Sequence, residues 1–423
     1  MINCRFFYDA LVKYEIDFFT GVPDSLLKSI NACIAENSPK GRHLVAANEG
    51  NAAALAAGHY LSTGKTGLVY MQNSGLGNAI NPLVSLADMM VYGIPMLLLI
   101  GWRGEPGLPD EPQHIKQGLV TLPLLQALGI NYCLLPGTDE DAFEELTRAI
   151  EHSKAYNEPY ALVAVQDVFA PYEPEQDMEE KPGAQGENKA KSFKNADALQ
   201  EKQDQAFSDT GNNSKGAANG TGGGAESKPP LSREEAAIIA LESMEPDAAL
   251  VSTTGKLSRE IYEYRDRGSA GHEKDFLNVG SMGHASQIAL GVALNQPDRD
   301  IYCFDGDGAV IMHMGALATC GTSGATNYKH LVFNNSTHDS VGGQPTVAGK
   351  IDLVKIAEAC GYKKALRAKS KEELTEALEK LKTAEGPAFL EIKVSSGARK
   401  DLGRPQTTPW DNKQAFMKFL GAK

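Results

Sequence analysis

IYCFDGDGA, residues 301–309, and HLVFNNST, residues 330–337, decide the fold of this 423-residue chain. Each begins as a short run of β-branched, aromatic and aliphatic residues and breaks off into small polar ones. That is the pattern of a buried parallel strand delivering a polar turn at its carboxyl end. A strand, a helix and a second strand in succession argue for an α/β sheet with helices on its faces. In such sheets ligands bind at the carboxyl ends of the strands, and Asp307 and Asn335 stand at those ends.

The same reading extends outward. Ala249–Ser252 (ALVS) is expected as a strand ending at Thr253-Thr254-Gly255. Before it, SREEAAIIALESM from Ser232 is expected as an amphipathic helix, with Ser232 as N-cap and Glu235 completing a capping box. The N-terminal half repeats the layout. Cys4–Tyr14 is expected as a helix, Asp17–Thr20 as a strand, and GVPDS as a turn into a helix over Leu26–Ala35. Then come a strand at His43–Ala46, a small-residue helix at Glu49–Thr63, and buried strands at Gly67–Gln72 and Met96–Ile100. The expected fold class is α/β, with two doubly wound parallel-sheet domains at 1–170 and 231–423. Between them, 171–230 is mostly Gly, Ala, Asn, Ser, Glu, Gln and Lys, with Met178, Phe193, Leu199 and Phe207 nearly its only large apolar side chains. Such a composition buries too little apolar area to offset its ordering entropy, so a flexible linker is expected there.

Composition narrows the function. A formal net charge of −13 offers no basic footprint for nucleic acid. The most apolar run, around Pro95–Gly101, is too short for a membrane span. Six scattered cysteines without a CxxC argue for a reducing cytoplasm, and against a disulfide framework or a zinc site. Neither half has a GxGxxG at its first strand–helix turn, which speaks against a dinucleotide.

The chemistry of the two strand ends is that of a metal–diphosphate anchor. Asp307 offers a hard carboxylate oxygen suited to Mg²⁺, Asn335 a hard amide oxygen, and a carbonyl near Thr337 a third ligand. Gly306, Gly308 and Ala309 let backbone N–H groups approach phosphate oxygens at the start of a helix. This arrangement resembles the thiamine-diphosphate signature of the decarboxylase and acetolactate-synthase superfamily, GDG followed after a helix and a strand by NN. The resemblance implies thiamine diphosphate and Mg²⁺ as cofactors, with Asp307, the Asn335 side chain and the Thr337 carbonyl as metal ligands. It implies Glu49, at the start of a helix, as the carboxylate set against the aminopyrimidine ring nitrogen. Met282, beside Gly283 in NVGSMGHASQ, falls where a bulky apolar residue props the cofactor in its bent form. Gly255 and Lys256 correspond to the loop covering the diphosphate. The first domain is then pyrimidine-binding and the second diphosphate-binding. Sites between subunits, in a homodimer or homotetramer, are implied as well.

FFTGVPDSLLK, NEGNAAALAAGHYL, QNSGLGNAINPL, GWRGEPGLPDEPQH and NNSTHDSVGGQPT are similar to the text of phosphonopyruvate decarboxylases, closely shared with sulfopyruvate decarboxylases. The implied reaction is loss of CO₂ from a 2-oxo acid bearing a phosphonate. A sulfonate substrate, or carboligation onto an aldehyde, stands as the alternative. A phosphonate dianion calls for cations and N–H donors. Asp24 and Ser25 in the GVPDS turn, with Lys256, Arg259 and His338, are the candidates. His114 is the candidate proton donor, because histidine titrates near neutrality. Taken alone, Asp24 and Ser25 read first as helix caps, and Lys256 and Arg259 read equally as a solvated helix face.

Overall fold

The computed structural model describes residues 1–174, 231–268 and 271–422. Most of the segment expected as a linker, 175–230, lies outside the described residues. The rest forms two six-stranded sheets, each flanked by helices, and a two-stranded ribbon.

The first sheet comprises β1 (Phe19–Gly21), β2 (His43–Val45), β3 (Gly67–Gln72), β4 (Met96–Gly101), β5 (Asn131–Leu134) and β6 (Pro159–Ala164). Its order is β2-β1-β3-β4-β6-β5, parallel throughout. The second comprises β7 (Ala249–Ser252), β8 (Asp275–Leu277), β9 (Ile301–Gly306), β10 (Tyr328–Asn334), β13 (Lys364–Ala368) and β14 (Ala388–Lys393). Its order is β13-β14-β10-β9-β7-β8, again parallel. The ribbon β11 (Thr337–His338) and β12 (Gln344–Pro345) is antiparallel and folds over the end of β10. The central strands of both sheets are buried on both faces, which is why β3 and β4 are continuous apolar runs without alternation.

Expected and observed elements agree closely where the apolar pattern is strong. The helix Glu49–Thr63 and the strand Gly67–Gln72 occupy the expected residues, and Ser232 caps its helix by accepting the Glu235 N–H. The second helix starts at Lys28 rather than Leu26. The Asp24 carboxylate accepts the Leu26 N–H, which holds the chain in a turn for two more residues.

One helix pair joins the halves. The helix Glu49–Thr63 is buried through almost its whole length because it is built of alanine and glycine. It packs on the helix Ala285–Ala293 of the second half, also buried throughout. A Cβ at Gly58 would stand 2.2 Å from the Ile288 carbonyl oxygen, and one at Gly291 would stand 2.4 Å from the Leu55 carbonyl oxygen. Glycine at both positions is therefore what allows the two backbones to meet. Around this crossing one apolar cluster runs from Ala52–Ala57 and Leu61 to Ile288, Ala289, Leu290 and Val292. Polar stitches reinforce it: His59 Nδ1 lies 3.2 Å from Asn295 Oδ1, and the buried Lys413 Nζ donates to the Gly93 carbonyl at 2.7 Å. Among the described residues no helix is long and apolar enough to cross a membrane.

Two predictions follow from this crossing. Gly58→Ala should cost about 2 kcal/mol or more through overpacking, measured as a lowered denaturation midpoint. His59 is stacked on Phe18 at 4.6 Å, and burial lowers its pKa from 6.5 to about 4. The unfolded chain takes up a proton here below its ordinary pKa, whereas the folded chain does so only near pH 4. Stability should therefore fall as pH drops through that window, by roughly 3 kcal/mol from this group. Denaturation curves between pH 7 and pH 4 test this, and His59→Gln should flatten the dependence.

Candidate active site

Each sheet reverses its strand order near its middle, between β1 and β3 in the first and between β7 and β9 in the second. Crevices open at such points, because the helices on either side leave in opposite directions. Most of the sequence-predicted residues lie on the segments that follow these strands.

In the second half a pocket is lined by Thr253–Leu257 from the end of β7, Met282, Gly306–Ala309 from the end of β9, and Asn335 and Thr337–Ser340 from the end of β10, with Arg233 at its side. Asp307, Gly255, Lys256, Met282, Asn335, Thr337 and His338 are thus brought together as the sequence implied. Arg259 is not among the lining residues, and Gly283 sits behind Met282 at a φ of 89°. Asp307 is 2% exposed. Its carboxylate accepts from the Thr346 hydroxyl and from the backbone N–H groups of Asn335 and Gly308. Burial raises its pKa, the hydrogen bonds opposing. The His338 ring packs against Gly308, where a Cβ would stand 2.6 Å from the ring.

Asp339, which the sequence reading passed over, is the organiser of this pocket. Its Oδ2 accepts from Arg233 at 3.0 Å, Asn335 at 2.8 Å and the Gly397 N–H at 2.9 Å, while Oδ1 accepts from Thr337 at 2.9 Å. These donors and the Arg233 charge hold its pKa below the usual carboxylate value against the effect of burial. Arg233 is also forked onto Glu260 at 2.8 and 2.9 Å, and Lys256 Nζ donates to the Asp339 carbonyl at 3.1 Å. The cations beside the pocket are therefore engaged elsewhere. Among the described residues none pairs with Asp307.

That arrangement fits the implied metal. A buried carboxylate without a cation, next to an amide and a threonine carbonyl, is an all-oxygen donor set of the kind hard divalent cations take. Gly255, at φ 109°, is the N-cap of the helix Lys256–Arg267, so the start of that helix lines the same pocket as Gly306–Ala309. The residues present fit Mg²⁺ and a diphosphate.

The first half carries Glu49 and His114, the candidate acid–base groups. Glu49 opens its helix and is 8% exposed. Its Oε2 accepts from Asn78 Nδ2 at 2.8 Å, and its Oε1 accepts no hydrogen bond among the described residues. An uncommitted carboxylate oxygen is what a protonated or protonatable ring nitrogen would need. Gly50 lies against the second half, where a Cβ would stand 2.8 Å from His284 Nε2. The loop carrying Met282 is also tied to the first half. Ser281 N–H donates to Ser85 Oγ at 2.9 Å, and Tyr92 donates to the Leu277 carbonyl at 2.8 Å. The start of the Glu49 helix and the Met282 loop thus meet within one chain.

Asp24 is buried, with Oδ2 on the Leu26 N–H and Oδ1 accepting from Gln72 Nε2 at 2.9 Å. One oxygen is held within the turn and the other by the end of β3, while the helix that follows takes Leu27 as its N-cap without a side-chain hydrogen bond, so Asp24 shapes the turn rather than capping the helix. Ser25 is exposed and accepts from Arg103 Nη1 at 2.8 Å. His114 Nδ1 lies 2.9 Å from Asp110 Oδ1. Asp110 also binds the Arg103 fork and the Gly104 and Glu111 N–H groups, which hold its pKa well below the usual carboxylate range. Arg103 and Asp110 were invisible to the sequence reading because they belong to a loop without periodicity.

The N-terminal TPP-binding domain model of thiamine pyrophosphate enzymes matches residues 4–122, and the C-terminal TPP-binding domain model matches residues 253–392. The chain is 36% identical over 430 aligned residues to a phosphonopyruvate decarboxylase of Streptomyces viridochromogenes, covering 99% of this chain and 95% of the relative. It is 28% identical to a sulfopyruvate decarboxylase of Methanosarcina acetivorans, covering 98% of this chain and 97% of that one. Its fold is similar to the crystal structure of benzoylformate decarboxylase from Polynucleobacter necessarius, with a TM-score of 0.67 at 14% identity, covering 94% of this chain and 100% of that one. The chain belongs to the thiamine pyrophosphate enzymes, as a 2-oxo acid decarboxylase of the group that includes the phosphonopyruvate decarboxylases.

Proposed function

We propose that this chain decarboxylates 3-phosphonopyruvate to phosphonoacetaldehyde and CO₂, using thiamine diphosphate and Mg²⁺. The observation that carries this reading is the 36% identity to a phosphonopyruvate decarboxylase across both halves, including the segments that build both crevices. Residues 1–170 would serve the pyrimidine end of the cofactor and 231–423 its diphosphate.

When bound, the cofactor supplies the nucleophilic carbon and the electron sink for loss of CO₂. The protein binds, orients and moves protons. Asp307, Asn335 and the Thr337 carbonyl would hold the metal. Gly255, Lys256, Gly306, Gly308 and Ala309 would cradle the phosphates, and Met282 would prop the cofactor from below. Glu49, through Oε1, would exchange a proton with the pyrimidine ring. His114, oriented by Asp110, would return the proton that replaces the lost carboxyl group. Decarboxylation consumes one proton per CO₂ released, so such a donor is required. Ser25, Lys256 and His338 would meet the phosphonate, with Arg103 adding a cation beside Ser25.

A homodimer or homotetramer is part of the proposal. Val279, Met312, Val341 and Val347 are exposed apolar residues on the segments flanking Met282, Asp307 and Asn335, which a second copy would cover. Sulfopyruvate stands as the second substrate reading, favoured by the 28% identity to the sulfopyruvate decarboxylase.

CO₂ release from phosphonopyruvate, sulfopyruvate and pyruvate, with both cofactors added or withheld, tests the reaction. Cofactor-dependent turnover greatest on phosphonopyruvate is expected, and a preference for sulfopyruvate would replace the substrate. Glu49→Gln should still bind the cofactor while kcat falls at least about 100-fold. Asp307→Ala should weaken cofactor and metal binding by at least about tenfold, followed by titration of protein fluorescence.

A further inference from the structure

We infer that Asn78 is the positioning residue of Glu49, and that the turn Gln72–Asn78 sets the acid–base half of the site. This rests on the reading of Glu49 as the carboxylate that serves the cofactor.

A carboxylate that exchanges a proton with a bound ring has to present one oxygen at one angle. A glutamate side chain has three rotatable bonds, and the first helical turn offers little to restrain them. Here two restraints converge from the end of β3. The first is steric: Gly75 lies so close that a Cβ there would stand 2.4 Å from Glu49 Cγ and from Oε1. The second is polar: Asn78 Nδ2 donates to Oε2 at 2.8 Å, leaving Oε1 as the oxygen without a partner among the described residues. The Asn78 backbone completes the clamp, since a Cβ at Gly50 would stand 2.6 Å from its carbonyl oxygen. Glycine at 50 and 75 makes the space, and the amide fixes which oxygen is used.

The same turn fixes the neighbouring groups. Gln72 Nε2 holds Asp24 Oδ1, and Ser74 Oγ donates to Gln72 Oε1 at 2.8 Å. Asn73 exchanges hydrogen bonds with the Arg103 backbone, donating to its carbonyl at 2.8 Å and accepting its N–H at 3.2 Å. One short segment thus ties together Glu49, the Asp24–Ser25 turn and the loop that carries Arg103 and Asp110 ahead of the helix Pro112–Ala127 bearing His114.

Asn78 is exposed, so replacing it leaves the core intact. The discriminating pair is Asn78→Ala and Asn78→Asp. Aspartate keeps the size of asparagine but has no N–H to give, and it sets a second carboxylate against Glu49 Oε2. For a residue that only fills space, Asp is the milder change. For a positioning donor it is the harsher one.

The expected result is a kcat about tenfold lower in Asn78→Ala and about 100-fold lower in Asn78→Asp, with substrate KM within about threefold of wild type. Thermal midpoints should stay within about 3 °C of wild type. Titration with thiamine diphosphate and Mg²⁺, read by protein fluorescence, should give the same order of affinities without any substrate present. Asn78→Asp equal to wild type, or milder than Asn78→Ala in both kcat and cofactor affinity, would overturn the assignment. If the wild-type enzyme prefers another 2-oxo acid, the substrate proposal falls, but the order Ala above Asp is read on that acid and on cofactor affinity alone.

Discussion

The site depends on two helices whose backbones touch. Gly58 and Gly291 place the helices Glu49–Thr63 and Ala285–Ala293 in direct contact, and their N-terminal ends come to rest together, with Gly50 beside His284. Glu49 opens the first helix, and Met282 stands three residues ahead of the second. Fixing the crossing therefore fixes the separation between the Glu49 carboxylate and the Met282 loop. Larger side chains at either glycine would move the two halves apart by more than hydrogen-bonding geometry tolerates, because packed interiors have few voids to absorb the change. The alanines lining both helices follow from the same constraint.

Charge is the second constraint. The chain carries −13 overall, yet the reading requires it to hold a diphosphate. Arg233 and Lys256, the cations beside the pocket, are drawn into the frame around Asp339 and Glu260 and do not pair with Asp307. Asp307 is left as an ionisable group in a desolvated place, an arrangement that is unfavourable until a cation arrives. A divalent metal held by Asp307 would supply the countercharge that this carboxylate and a diphosphate both call for. The pocket is in this sense built around a cation rather than around an anion, with backbone N–H groups doing what lysines and arginines do elsewhere.

The legible parts of this molecule are those where chemistry and periodicity coincide. Strands β3, β4, β9 and β10 announce themselves as apolar runs, and Asp307, Asn335 and Thr337 are recognisable because they end such runs. Glu49 and Met282 became readable only beside the glycine signature, since a glutamate in a first turn or a methionine in a loop carries little information alone. Asp339, Asp110, Arg103 and Asn78 were not legible. Each acts through partners far away in sequence: Asp339 reaches Arg233 and Gly397, and Asn78 reaches Glu49. Their roles exist only after the sheets have formed. The second helix was placed two residues early for a related reason, because the Asp24 side chain prolongs a turn that propensity alone would have ended.

The two halves solve one geometric problem twice. In each, the sheet reverses its strand order, and the turns at that reversal carry the chemistry: GVPDS and QNSG in the first, TTGK and GDGA in the second. At the second reversal Asp307 and Asn335 come together in an ionic frame, with Asp339 receiving four donors. At the first, the frame around Asp24 and Glu49 is amide, with Gln72, Asn73 and Asn78 holding Asp24, the Arg103 backbone and Glu49, while His114 rests on the ionic Asp110–Arg103 pair. Amides do not titrate in the working range and carry no net charge, so they fix a carboxylate's position while leaving its proton exchange free. A lysine or arginine in the place of Asn78 would hold Glu49 as firmly but would bind its charged form too strongly for a group that has to give and take a proton. The division between an ionic frame and an amide frame thus follows from what each half has to do.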